Sequence, residues 1–218
     1  MKQIREKRNA NHGGKKGLTA IELIISAGIL AILTVSVYSL LSAANVISRT
    51  NDIYHRLNQD AMQTLRYFSR EIGQTSPTVS PSHLVITADG NGNSIVRLQM
   101  PVDWDNDGDV VVNNVTNATE WGAYDEAGQM QNGRLGAWVR YSVVNNQLIR
   151  EVLTAGLNLI PGLSRVVANN VQTFSVVQNL NVAQLSITLA ATDAATARNP
   201  RTFQATFSNS TVLRNAVN

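Results

Sequence analysis

The chain has 218 residues, 44% of them hydrophobic and 15% charged, a balance that suits a folded chain and excludes a disordered one. It holds no cysteine, which excludes disulfides, thiolate metal sites and cysteine nucleophiles together. The formal charge of +3 comes from residues 1–17, where Lys2, Arg5, Lys7, Arg8, Lys15 and Lys16 stand against Glu6; the remainder carries 12 basic and 14 acidic side chains, so the charge reads as a topology signal and not as a nucleic-acid surface.

The first element after this basic segment is an apolar run of 24 residues, Leu18 to Leu41, with no proline. It is long enough to cross a hydrocarbon core as a helix. Lys15 and Lys16 directly before it stay cytoplasmic by the positive-inside rule, so the rest of the chain is expected on the far side. A secretory signal has a shorter apolar core with a small-residue cleavage site after it. This run is longer, and it contains a carboxylate, Glu22. A charge within a membrane segment is costly and normally has a partner or a role. The plain alternative is a glutamate near the interface that reaches back to water.

The stretch Gly14-Lys15-Lys16-Gly17-Leu18-Thr19-Ala20-Ile21-Glu22-Leu23 resembles the class III leader of type IV prepilins. The resemblance covers about a tenth of the chain. It departs from the usual pattern at Leu18, where phenylalanine is commoner, and at Ala20, where leucine is. It implies that a prepilin peptidase cuts between Gly17 and Leu18, leaves the apolar segment attached and N-methylates Leu18. Glu22 then becomes the fifth residue of the mature chain, four residues along the same helical face from the new α-amino group. In the family this carboxylate pairs with the N-terminal amine of a neighbouring subunit, so that neither charge is stranded in the filament core. The implied partners are other pilins or pseudopilins through the N-terminal helix, the peptidase and an inner-membrane assembly platform. The implied location is the bacterial inner membrane, with a cytoplasmic leader and a periplasmic head, and then the filament.

The helical pattern continues beyond Leu41. From Ser42 to Ile72 there is neither proline nor glycine. Val46, Ile47, Ile53, Tyr54, Leu57, Ala61, Leu65, Phe68 and Ile72 recur at spacings of three and four, which predicts one apolar stripe. Arg49, Asp52, Arg56, Asp60, Arg66, Arg70 and Glu71 are expected on the opposite face. Gly73, then Pro77 and Pro81, should end the helix.

From there strands and turns take over. Strands are expected at His83–Ala88, Asn93–Gln99, Ala137–Val144, Gln147–Leu153, Val171–Val177, Gln184–Ala190 and Thr202–Ser208, each rich in branched or aromatic residues. Asp89-Gly90-Asn91-Gly92 and Asn145-Asn146 read as hairpin turns. The hairpin through Ala137–Val152 and the terminal Thr211–Asn215 are similar to minor pilins of the PilW type and to the J-type minor pseudopilins of type II secretion. The expected fold is therefore α+β, a type IV pilin fold whose long N-terminal α-helix packs its C-terminal half on an antiparallel β-sheet head. The expected divisions are a cleaved leader (1–17), a transmembrane or filament-core half (18–41), an amphipathic half (42–73) and a periplasmic β-rich head (74–218).

One acidic loop stands apart. Asp103, Asp105, Asp107 and Asp109, with Gly108, form a D-x-D-x-D-G pattern whose oxygens can face one hard cation, and calcium is the cofactor it suits. Asp109 would offer its backbone carbonyl. The twelfth position is Asn114 and not a glutamate, so an EF-hand is not expected. A solvated acidic turn is the alternative.

No catalytic constellation emerges. His12 lies in the leader, and His55 and His83 fall on a helix and a strand start, which makes no metal site or triad. No glycine-rich phosphate loop joins a strand to a helix. Asp125-Glu126 reads as a turn, and Trp104, Trp121 and Trp138 as packing residues before a binding surface. The expected function is a structural one: a minor pilin that initiates or supports a type IV pilus at or near its tip, not an enzyme. Two alternatives stay open, a J-type minor pseudopilin and a membrane-tethered periplasmic binding protein that never polymerises.

Overall fold

The computed structural model describes residues 19–76, 82–106, 108, 110–113, 118–129, 131–193 and 200–214. One α-helix, α1, runs from Ala20 to Ile72, and antiparallel β-structure follows it, so the chain is α+β with a long N-terminal helix, as expected. The chain divides into two compact units between Thr50 and Asn51.

In the first unit α1 is apolar all round. Ile21, Leu23, Ile24, Leu30, Ile32, Val35 and Leu40 are all more than 60% exposed. Its hydroxyls turn inward on the helix's own backbone: Thr34 Oγ1 donates to the Leu30 carbonyl at 2.7 Å and Ser36 Oγ to that of Ile32 at 2.9 Å. Side chains that satisfy themselves in this way fit surroundings that offer no hydrogen bonds. Among the described residues this is the one helix long and apolar enough to cross a membrane.

In the second unit the last turns of α1 bury Leu57, Ala61, Leu65, Phe68 and Ile72 in a single apolar core. The buried stripe is shorter than the periodicity suggests. Val46, Ile47 and Tyr54 stay exposed, and Tyr54 makes only an edge contact with Phe203 at 5.6 Å. Glu71 departs further, for it is buried among the core residues.

The strands in chain order are β1 (Leu84–Ala88), β2 (Ser94–Leu98), β3 (Met100–Pro101), β4 (Val111–Asn113), β5 (Ala118–Thr119), β6 (Trp121–Tyr124) and β7 (Gly133–Leu135). Then follow β8 (Trp138–Val144), β9 (Gln147–Leu153), β10 (Leu159–Ala168), β11 (Val171–Asn179), β12 (Val182–Asp193) and β13 (Arg201–Val212). They form four antiparallel sheets instead of one: β1-β2-β8-β9-β10, β11-β12-β13, β3-β6-β7 and β4-β5. Phe68 joins the two larger ones, meeting Tyr141 of β8 at 4.8 Å and Phe174 of β11 at 5.5 Å, both edge-on.

Both predicted hairpins form. In the first, Asp89 Oδ1 accepts from the amides of Asn91 and Asn93, each at 2.8 Å, and Gly92 takes a positive φ. In the second, Asn145 and Asn146 both lie in the left-handed region, the pair of conformations that a type I′ turn requires. The seven predicted strands are all present; β11, β12 and β13 run longer than expected, β9 matches, and β1, β2 and β8 are one or two residues shorter. β10 went unseen because Pro161 and Gly162 interrupt it; the register jumps between Leu159 and Ser164, which an edge strand tolerates. β3 to β7 are two to four residues long, too short for a periodic signal.

Gly73 does follow the helix, but for a different reason. It is not left-handed; a Cβ there would stand 2.9 Å from the Ser69 carbonyl oxygen and 3.1 Å from Thr211 Cγ2. The C-terminal end of the chain passes this point, with the Arg214 amide donating to the Gly73 carbonyl at 2.8 Å.

Candidate functional site

The N-terminal half of α1 holds one charge in an otherwise uncharged stretch. Thr19 and Glu22 form a capping box. The Thr19 amide donates to Glu22 Oε2 at 2.8 Å, the Thr19 hydroxyl to the same oxygen at 2.9 Å, and the Glu22 amide to Thr19 Oγ1 at 3.4 Å. Glu22 is the only charged side chain of α1 before Arg49. The Thr-x-x-Glu spacing was visible in the sequence, and its capping role was missed because the leader motif absorbed the same residues. Gly17, Leu18, Lys15 and Lys16, the residues of the expected processing site, lie outside the described residues.

Of the acidic loop, Asp103, Asp105 and Gly108 are described, while Asp107, Asp109 and Asn114 lie outside the described residues. Gly108 has φ +95 and donates its amide to Asp103 Oδ2 at 3.0 Å, the sharp turn that the motif needs. Asp105 is exposed. The loop is closed at its base by a residue that the sequence pattern did not single out, Glu120. The Val102 amide donates to its carbonyl at 2.9 Å, and its own amide donates to the Val110 carbonyl at 2.7 Å. Its buried carboxylate takes the Trp104 indole N–H at 3.0 Å. Among the described residues no group of three or more histidines and carboxylates is arranged to hold a metal ion.

The most elaborate polar arrangement lies in the core. Glu71, in the last turn of α1, faces Arg150 of β9 and Tyr141 of β8. Arg150 Nη2 meets Glu71 Oε1 at 2.8 Å, Nε reaches both carboxylate oxygens at 3.1 and 3.2 Å, and Tyr141 Oη donates to Oε2 at 2.5 Å. The remaining guanidinium donors go to the carbonyls of Tyr124 at 2.7 Å and Asp125 at 2.9 Å. All three side chains are buried. Burial pushes the Tyr141 phenol well above its ordinary value, and the Glu71 charge adds to this. Burial opposes the Arg150 charge, but the charge and hydrogen bonds of Glu71 together with Tyr141 outweigh it, and the pKa of Arg150 rises. Sequence pattern placed Glu71 on the solvent face because charge argues for exposure; its partner lies 79 residues away, beyond any local signal.

The remaining candidates are occupied structurally. His83 is buried, with Nδ1 at 2.8 Å from Gln99 Oε1 and its ring stacked on Trp121 at 4.0 Å. His55 is exposed. Asp125 is bound to Arg134 by a two-pronged ion pair, and this hydrogen bonding raises the Arg134 pKa.

Comparison of the chain with protein-family models, with curated proteins and with solved structures finds no match. The long apolar N-terminal helix followed by β-sheet structure is compatible with a pilin-like architecture.

Proposed function

We propose that the chain is a structural subunit, a minor pilin that a prepilin peptidase cuts between Gly17 and Leu18 and that enters a type IV pilus at or near its tip, without enzymatic activity. The observation that carries this reading is Glu22. It is the sole charge on 29 residues of exposed apolar helix, and it sits at the helix start beside the expected cleavage point. A capping glutamate explains its hydrogen bonds but not its place, because an aspartate or serine cap outside the apolar segment would start the helix at lower cost. A carboxylate that must later meet a neighbour's α-amino group explains both.

Glu22→Gln separates the two roles, since glutamine still serves in a capping box but carries no charge. The expected result is a normally inserted, normally helical subunit that fails to enter filaments. Filament incorporation at the wild-type level would sink the reading. Mass spectrometry of the membrane-extracted chain tests processing: the expected species begins at methylated Leu18 only where the peptidase is active. A chain that still begins at Met1 would favour a tethered periplasmic protein instead.

A further inference from the structure

Sheet edges are templates for further pairing, and folded proteins guard them. Three of the four edges of the two large sheets are guarded here. β1 is only five residues long. β10 carries Pro161 and a register break at Gly162. β11 is covered by the first sheet: the Phe174 amide donates to Asn93 Oδ1 at 3.0 Å, the Val176 amide to Ser94 Oγ at 2.9 Å and the Val171 amide to the Asn146 carbonyl at 2.8 Å.

β13 has none of these protections. Its twelve residues pair with β12 without a register break. Residues 202–212 contain no proline and no ionisable side chain. The Leu213 amide bonds the Asn181 carbonyl, so in the alternating antiparallel ladder the odd residues of β13 face β12 and the even ones face outward. Those outward residues are Thr202, Gln204, Thr206, Ser208, Ser210 and Val212, all exposed. Among the described residues, only the Ser210 amide of this outward row has a hydrogen-bond partner, Asn209 Oδ1 at 2.9 Å.

We propose that β13 is an association edge that pairs antiparallel with β13 of a second copy of this chain. The edge is self-complementary. With Thr206 on the two-fold axis, Thr202 faces Ser210 and Gln204 faces Ser208, so uncharged polar side chains face one another and no charges of the same sign oppose each other. The two three-stranded sheets become one of six strands. The pairing asks nothing of Glu22 or of processing, and so goes beyond the assembly role above.

The absence of native cysteine makes the test direct. The full chain in detergent carries Thr206→Cys and is treated with a mild oxidant such as oxidised glutathione. Thr206 partners lie ~5.5 Å apart on the axis, within disulfide reach. A linked dimer should form. Thr202→Cys alone should not link, because eight residues of offset separate the pair by about 27 Å, whereas mixing it with Ser210→Cys should. Gln184→Cys on β12 is the collision control; it lies opposite Ser210, so three strand spacings and eight residues of offset hold its partners roughly 30 Å apart. Ser208→Pro removes an outward amide that no other described residue engages and should abolish the dimer at an unchanged melting temperature; should it unfold, the double substitution Gln204→Lys with Ser208→Lys, which sets like charges opposite each other across the axis, takes its place. Equal linking at positions 184 and 206, or no linking at 206, overturns the proposal. So does a monomer that binds a synthetic β13 peptide without dimerising, which would assign the edge to a different extended segment.

Discussion

Arg150→Met is the most informative single substitution in the head. It keeps apolar volume in the core but removes the guanidinium that makes three contacts with Glu71 and one each with the Tyr124 and Asp125 carbonyls. The Glu71 carboxylate then stays buried with the Tyr141 hydroxyl as its remaining partner. Stranding one member of a buried ion pair costs about 3–5 kcal/mol. For a domain of this size each kcal/mol lowers the melting temperature by roughly 2–4 °C, so a drop on the order of 10 °C is expected. Urea unfolding followed by tryptophan fluorescence reads this out, because Trp104, Trp121 and Trp138 all belong to the second unit. The double variant Glu71→Met with Arg150→Met removes both charges and should recover most of the loss, leaving the unpaired carbonyls at about 1–3 kcal/mol. An Arg150→Met variant within about 1 kcal/mol of the parent would refute the reasoning. So would a double variant that costs the sum of the two single ones.

Gly122→Ala should be severe for a steric reason. A Cβ there would lie 2.1 Å from the Arg134 carbonyl oxygen and 2.8 Å from Val102 Cγ2, so β6 and β7 must separate; a loss of about 2 kcal/mol or more is expected in the same urea assay. Asp89 sets an acid dependence. Desolvation pushes its carboxyl up, but hydrogen bonds from Asn93, Asn91 and Gly92 outweigh that and hold it below the usual value. Its contribution is therefore present above the ordinary carboxylate pKa of about 4 and is lost as pH falls through the lower folded value. Melting curves of Asp89→Asn should show a shallower decline below pH 4 than those of the parent; parallel declines would remove the assignment.

The parts of the fold governed by local rules were legible. A proline-free apolar run followed by a three-and-four stripe gives α1, and Asp89–Gly92 and Asn145-Asn146 give their hairpins because turn chemistry is written in two to four adjacent residues. What failed depended on distant partners. Tertiary pairing decided that Glu71 is buried and that Gly73 is kept small by Thr211. β10 carries two residues that argue against a strand, and they are accepted because it has a neighbour on one side only. At the candidate site the identity of Glu22 was legible, and its engagement with Thr19 was hidden by a second motif on the same residues. Glu120 was not legible at all: nothing local distinguishes it from an exposed strand glutamate, and only the return of the chain to Val102 and Val110 makes it the base of the loop.

The buried pair also answers a question that the apolar stripe leaves open. Leu57, Ala61, Leu65, Phe68 and Ile72 specify which face of α1 meets the sheets, yet a slip of one turn along the axis would still present apolar residues to apolar residues. The same slip would bring Tyr67 or Thr75 to the place of Glu71 and leave Arg150 buried without a counter-charge. A penalty of several kcal/mol against the wrong register exceeds what the differences among the stripe's side chains supply. Our hypothesis is that Glu71 and Arg150 select the register while adding little net stability. The double methionine variant carries the answer: stability within about 1–3 kcal/mol of the parent with broadened or doubled amide resonances along α1 and β9 assigns the pair to specificity, and a single sharp set of resonances removes that role.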